Sequence, residues 1–169
     1  MATDLTERLM PLLNFTLDDL ETNRGGRLSA RQIDRLRRLR RRSIWIGIGI
    51  ILSVSFVAAL ALYFGQRNAA PILTFIGVAI TVCNAAIAGV LLRNWLRLSA
   101  DIDSGEVLVR AGTLRHTVRV TGRVANYIVT LDDEEFSVAK PVFLAMKHGG
   151  RYRFYRTSAA RILLAAEAL

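Results

Sequence analysis

The stretch Ser43–Gln66, SIWIGIGIILSVSFVAALALYFGQ, carries no charge, and after Arg67 neither does Asn68–Leu92, NAAPILTFIGVAITVCNAAIAGVLL. Their apolar parts, residues 43–64 and 71–92, would each cover about 33 Å as α-helices, because a helix rises about 1.5 Å per residue. The hydrocarbon core of a bilayer is about 30 Å thick, so each part is predicted to be a transmembrane helix. A buried helical hairpin in a water-soluble globule would need a polar outer face, which neither run has. The connector, residues 65–70, reads as a short external loop ending at Pro71, whose missing N–H suits the first turn of a helix. A tight antiparallel membrane hairpin follows.

Outward from the hairpin the composition changes. Of 169 residues 52% are hydrophobic and 22% are charged, so the apolar residues are segregated. That pattern excludes a disordered chain, and the single Cys83 excludes an intrachain disulfide framework. Six of the eight residues 35–42 are arginine, Arg93 and Arg97 follow the second span, and the connector holds only Arg67. Basic flanks stay on the cytoplasmic side, so both termini are expected there. Trp45 and Trp95 then fall at the inner interface and Tyr63 at the outer one. The charged leader, residues 1–42, lacks the early apolar core of a cleavable signal peptide, and the sequon Asn14-Phe15-Thr16 would face the cytoplasm.

Within the spans, Gly77, Thr81, Ala85 and Gly89 recur every four residues, and Gly49, Ser53, Val57 and Ala61 do nearly the same. Strips of small side chains let helix backbones approach closely. They either pack on each other within one chain or make a homo-oligomer. Asn84, mid-span, is expected to hydrogen-bond to another helix. Neither span holds Asp, Glu, Lys, Arg or His, which disfavours a transporter or proton channel. Cys83 reads as a small apolar filler.

The leader contains two helix starts. Thr16-Leu17-Asp18-Asp19 offers a capping hydroxyl with acids in the first turn, and Ser29-Ala30-Arg31-Gln32 is a capping box. A short helix over about 17–23 is predicted to end at Gly25-Gly26, and a second, from about 30, can run unbroken into the first span. The arginines Arg35, Arg37, Arg38, Arg40, Arg41 and Arg42 set orientation on the simplest reading. Anionic lipid headgroups would be attracted by the same cluster. No groove-reading motif or stacking aromatics accompany it, so no nucleic acid is expected.

Residues 93–169 turn to short strand-like runs: 106–110, 114–120, 126–131, 136–139, 151–157 and 161–165, with a helical turn at 141–147 and an acidic hairpin tip at 132–135. They predict a small all-β domain, an SH3-like or OB-like partly open barrel. In Arg151-Tyr152-Arg153-Phe154-Tyr155-Arg156 the alternation puts Tyr152 and Phe154 on one face and Arg151, Arg153 and Tyr155 on the other. The first face reads as core. The second reads as a solvated face or a surface for phosphate or nucleotide.

Catalytic and metal motifs are scarce. His116 and His148 stand 32 residues apart with no Cys or carboxylate at ligand spacing, so no metal or other cofactor is expected. Asp101-Ile102-Asp103-Ser104-Gly105-Glu106 has a calcium-loop flavour, but its glycine comes one place early and Gly112 stands where the bidentate acid belongs. Phosphate loops, dinucleotide fingerprints, nucleophile elbows and HExxH are all missing, and no enzymatic activity is expected.

Phe15-Thr16-Leu17-Asp18-Asp19-Leu20 with Asn23-Arg24, Gly26, Leu28-Ser29 and Gln32, two spans, and Arg151-Tyr152-Arg153-Phe154-Tyr155 followed by Leu163-Leu164 and Glu167 resemble a group of small bacterial membrane proteins with two transmembrane helices and a C-terminal β-rich domain. In topology the chain is also similar to the NfeD family, which hangs an OB-type barrel behind membrane helices. These resemblances imply a bacterial inner-membrane location and this architecture, and no catalytic residue. The functional expectation is a non-enzymatic anchor for a cytoplasmic module that binds a protein partner, itself or anionic lipid. Alternatives are an accessory or assembly subunit of a membrane transporter and a nucleotide- or phosphate-responsive module.

Overall fold

The computed structural model describes residues 2–121 and 124–169. In chain order the elements are α1 (Ala2–Leu13), α2 (Leu17–Arg24), α3 (Ala30–Arg67), α4 (Pro71–Ser104), β1 (Val107–Thr121), β2 (Val124–Leu131), β3 (Glu134–Val138), α5 (Lys140–Ala145), β4 (Arg151–Thr157) and β5 (Leu163–Ala168). They form two compact units, one of residues 1–34 and 103–169 and one of residues 35–102.

The second unit is the long hairpin of α3 and α4. Both helices are long and apolar enough to cross a membrane, and only 11% of each apolar stretch is buried. α3 runs unbroken from the leader through the arginines into the first span, as its sequence allows. α4 continues past residue 92 to Ser104, where the β-rich region was expected to have begun. No breaker intervenes before Gly105, whose φ of +63° is the left-handed conformation that ends helices. Residues 101–104 of the calcium-like motif are therefore helical. The connector shortens to residues 68–70, with Ala69 at φ +46°.

The first unit is built on a five-stranded antiparallel open sheet in the order β3-β2-β1-β4-β5. β1 is one strand where two were predicted. Val107–Thr113 pairs with β4, and Leu114–Thr121 with β2. The Ala111-Gly112 signal marks this change of partner. A side chain at 112 would collide with the Asp132 carboxylate, so the bare backbone of Gly112 makes room for the β2–β3 turn. That turn is Asp132-Asp133, and Glu134 and Glu135 belong to β3. β5 begins at Leu163, two residues later than predicted.

Packing of the sheet explains its stability. Leu114, Val129, Tyr152, Phe154, Tyr155, Ala165 and Ala166 are all at most 1% exposed. α1 lies against β5, and α5 against α1 and β2. α1, which holds Pro11 in its last turn, is an element the sequence reading did not include. Leu9 of α1 is fully buried. The chain entering α3 is held to the chain leaving α4: Leu28 N–H donates to Gly105 O (2.8 Å) and Val107 N–H to Gly26 O (2.9 Å).

Candidate functional site

The hairpin keeps one antiparallel register along its length. Its seam on α3 is Gly47, Ile51, Val54, Ala58, Ala61 and Gly65, buried or half-buried at alternating steps of four and three. Their average, 3.6 residues, matches the helical repeat and keeps the seam on one face. A Cβ on Gly77 would lie 2.7 Å from Leu62 Cγ, and one on Gly65 2.6 Å from Thr74 N, so these glycines set the helix separation. The Asn84 amide donates to Ser55 Oγ (2.8 Å) and to the Ile51 carbonyl (3.3 Å), while its Oδ1 is buried without a partner. Asn84 is thus glue between the two helices of one chain.

The two small-residue strips do not pack on each other as wholes. Strict four-residue spacing drifts around a helix of 3.6 residues per turn. Gly77 stays in the seam, whereas Gly49, Ser53, Thr81, Ala85 and Gly89 face outward. Nothing lies within 4 Å of a Cβ built on Gly49 or Gly89. The hydroxyls of Ser53 and Thr81 donate to carbonyls of their own helix, Gly49 O (2.8 Å) and Gly77 O (2.9 Å).

At the α3 N-terminal end of this hairpin, Arg37, Arg38, Arg41 and Arg42 are exposed and Arg35 and Arg40 half-buried. Arg40 donates to Ser99 Oγ (3.2 Å) on α4. Just inside them the helices leave an open apolar groove of about 360 Å³, lined by Ser43, Ile44, Gly47, Ile48 and Ile51 of α3 and Ala88, Leu91, Leu92 and Trp95 of α4.

In the sheet unit, the leader motifs converge on one buried polar cluster. Thr16 and Asp19 cap α2 reciprocally, with Thr16 N–H donating to Asp19 Oδ2 (2.9 Å) and Asp19 N–H to Thr16 Oγ1 (3.3 Å). Ser29 and Gln32 cap α3 the same way, at 3.1 Å each. The Ser29 hydroxyl donates to Asp19, which links the two caps. Burial alone would raise the Asp19 pKa, but the hydrogen bonds from Ser29 and Thr16 and the charge of Arg31 outweigh it and hold the carboxyl below its usual range. The motif residues are therefore structural.

β4 departs from simple alternation. Tyr152 and Phe154 are buried as expected, and Arg151 is exposed. Tyr155, expected on the solvated face with Arg151 and Arg153, is fully buried because that face of the strand is covered. Its hydroxyl donates to Glu167 Oε2 (3.0 Å), which also faces Arg153 Nη1 at 3.8 Å and accepts from Arg24. Burial would raise the Glu167 pKa, yet Arg24, Tyr155 and Arg153 hold it low; burial and Glu167 together push the Tyr155 hydroxyl up. Arg156 is also buried, in a bidentate pair with Glu134 (2.8 and 2.6 Å). A continuous ligand surface of Arg151, Arg153 and Tyr155 is therefore not what this strand presents.

Sequence spacing gave no hint that the two histidines meet. His116 N–H donates to His148 Nδ1 (3.0 Å), and the His116 ring stacks on Phe143 at 4.1 Å. Burial, then the neighbouring His148, lower the His116 pKa. Among the described residues no cluster of three or more His, Cys, Asp or Glu could hold a metal ion.

Compared with known proteins, the chain matches no family model, no curated protein and no solved structure. What stands of the resemblance drawn from its motifs is the architecture: a long apolar hairpin and a C-terminal five-stranded sheet.

Proposed function

We propose that this protein is a non-enzymatic inner-membrane anchor whose hairpin spans the bilayer and holds the sheet unit on the cytoplasmic side for interaction with a partner protein. The outward apolar surface of the hairpin carries this reading. Phe56, Ile72, Phe75, Trp45 and Leu52 are all at least 64% exposed, and water would penalise them at about 25 cal/mol per Å² of apolar area. Lipid removes that penalty. The seam meanwhile is rich in small residues, Gly47, Ala58, Ala61, Gly65 and Gly77, and holds the Asn84 amide, as helix pairs in lipid do.

Arginines at the end where α3 enters and α4 leaves, against Arg67 alone at the connector, support cytoplasmic termini. Alkaline carbonate extraction and reporter fusions at residue 68 and after residue 169 test this directly. The protein should stay in the membrane pellet, with the residue 68 reporter external and the C-terminal reporter cytoplasmic. Release by carbonate would refute the anchor, and a cytoplasmic residue 68 would refute the topology. Copurification with a stoichiometric larger membrane protein would instead favour an accessory subunit.

A further inference from the structure

We infer that the groove between α3 and α4 is a binding site for one anionic phospholipid, with an acyl chain in the groove and the phosphate on Arg40 and Arg41. This rests on the proposed membrane insertion. The groove is almost wholly apolar, open along one side, and its volume of about 360 Å³ falls within the roughly 300–1,000 Å³ of small-ligand sites. Gly47 and Leu91 meet in its wall, where Leu91 Cδ1 would lie 3.1 Å from a Cβ built on Gly47.

Charge selects the occupant. Arg40 precedes Ser43, Ile44 and Gly47 by three, four and seven residues, and Arg41 precedes Ile44 and Ile48 by three and seven. These spacings share a helix face, so both guanidinium groups stand on the groove face, one turn beyond its end. The hydrogen bond of Arg40 goes to a neutral hydroxyl, which leaves its charge and most of its donors uncommitted. Arg41 is exposed. Two guanidinium forks at the headgroup level, above an apolar trough walled by Trp95, match a phosphodiester with its chain below. Arg93 and Arg97 stand at none of these spacings from Ala88, Leu91, Leu92 or Trp95 and so lie on other faces of α4.

The test is native mass spectrometry of the full-length protein purified from membranes and exchanged into nanodiscs of phosphatidylethanolamine and phosphatidylglycerol at three to one. One phosphatidylglycerol per chain should survive detergent release. Arg40→Gln with Arg41→Gln should lower the preference for phosphatidylglycerol roughly 25-fold, at about fivefold per basic residue near a membrane surface. Ile48→Trp, which fills the groove from an exposed position outside the seam, should displace the lipid without loosening the hairpin. Arg93→Gln with Arg97→Gln should leave retention unchanged. Equal retention of both lipids, or equal loss in the two arginine pairs, would overturn the site while leaving the anchor intact. Carbonate release of the wild type would overturn both.

Discussion

The two units cover their apolar residues in opposite senses. In residues 35–102 large apolar side chains point outward, with Phe75 and Ile72 each 75% exposed, and the seam holds Gly47, Ala58, Ala61, Gly65 and Gly77 with Ile51, Val54 and Asn84. In the sheet unit the largest side chains are innermost, with Tyr152, Phe154 and Tyr155 at most 1% exposed, and charged residues take the surface. One set of forces gives both patterns if, as proposed above, the hairpin lies in lipid and the sheet unit in water. In water, burying an aromatic ring is the main gain. In lipid that gain vanishes between helices, and close backbone approach with interhelical hydrogen bonds takes over.

The sharpest way to expose this contrast is to truncate one aromatic in each unit. Phe154→Ala should cost about 3–5 kcal/mol and make the sheet unit protease-sensitive, whereas Phe75→Ala should leave hairpin stability nearly unchanged. Equal losses, read by limited proteolysis of each unit in nanodiscs, would show that both cores depend on the same force. Overpacking gives the next effect. Gly77→Leu drives a side chain into Leu62 and should loosen the hairpin by about 1–3 kcal/mol, while Gly89→Leu should do nothing. Crosslinking between cysteines placed at Ala58 and Ile80 would report the separation.

Asn84→Leu should cost the hairpin about 0.6 kcal/mol, at most about 1.7, as membrane amide hydrogen bonds do. Steric-trap unfolding in bicelles is sensitive enough to see it, and a loss well beyond that range would mean Asn84 does more than join two helices.

pH divides the units as well. Asp19 and Glu167 have lowered pKa values in the fold, so the stability they contribute is present above the ordinary carboxylate range and lost as pH falls through their folded values. His116 is also lowered from 6.5; the unfolded chain takes up that proton first, which adds destabilisation below its ordinary value. The Tm of the sheet unit should therefore fall in two stages as pH is lowered from 7, first below pH 6.5 through His116 and then below pH 4.5 through the carboxylates. The second stage should be less steep in Glu167→Gln. Helicity of the hairpin in bilayers should not change over that interval, since its spans carry no carboxylate or histidine.

Length and one-dimensional pattern were enough for the two long apolar helices, the helix starts at Thr16 and Ser29, and most strands, because each depends on neighbours within a few residues. α1 escaped notice, since its stretch carries neither of the two capping signals read in the leader. The extension of α4 to Ser104 did too, since charged residues beyond Arg93 looked like the start of another domain although nothing local stops the helix.

What only the tertiary structure decided is which residues from distant stretches share an environment. Gly77 is in the seam and Gly89 is not, a distinction that depends on how one helix packs along the other. Tyr155 is buried despite its place on the alternate face, with its hydroxyl held by Glu167 of β5. His116 and His148 meet because strand pairing brings Leu114 beside the chain after α5, with Gly149 N–H donating to Leu114 O at 2.8 Å. Local sequence dictates conformation through short-range sterics and hydrogen bonds, whereas faces and partners follow from packing between segments that the chain order alone leaves far apart.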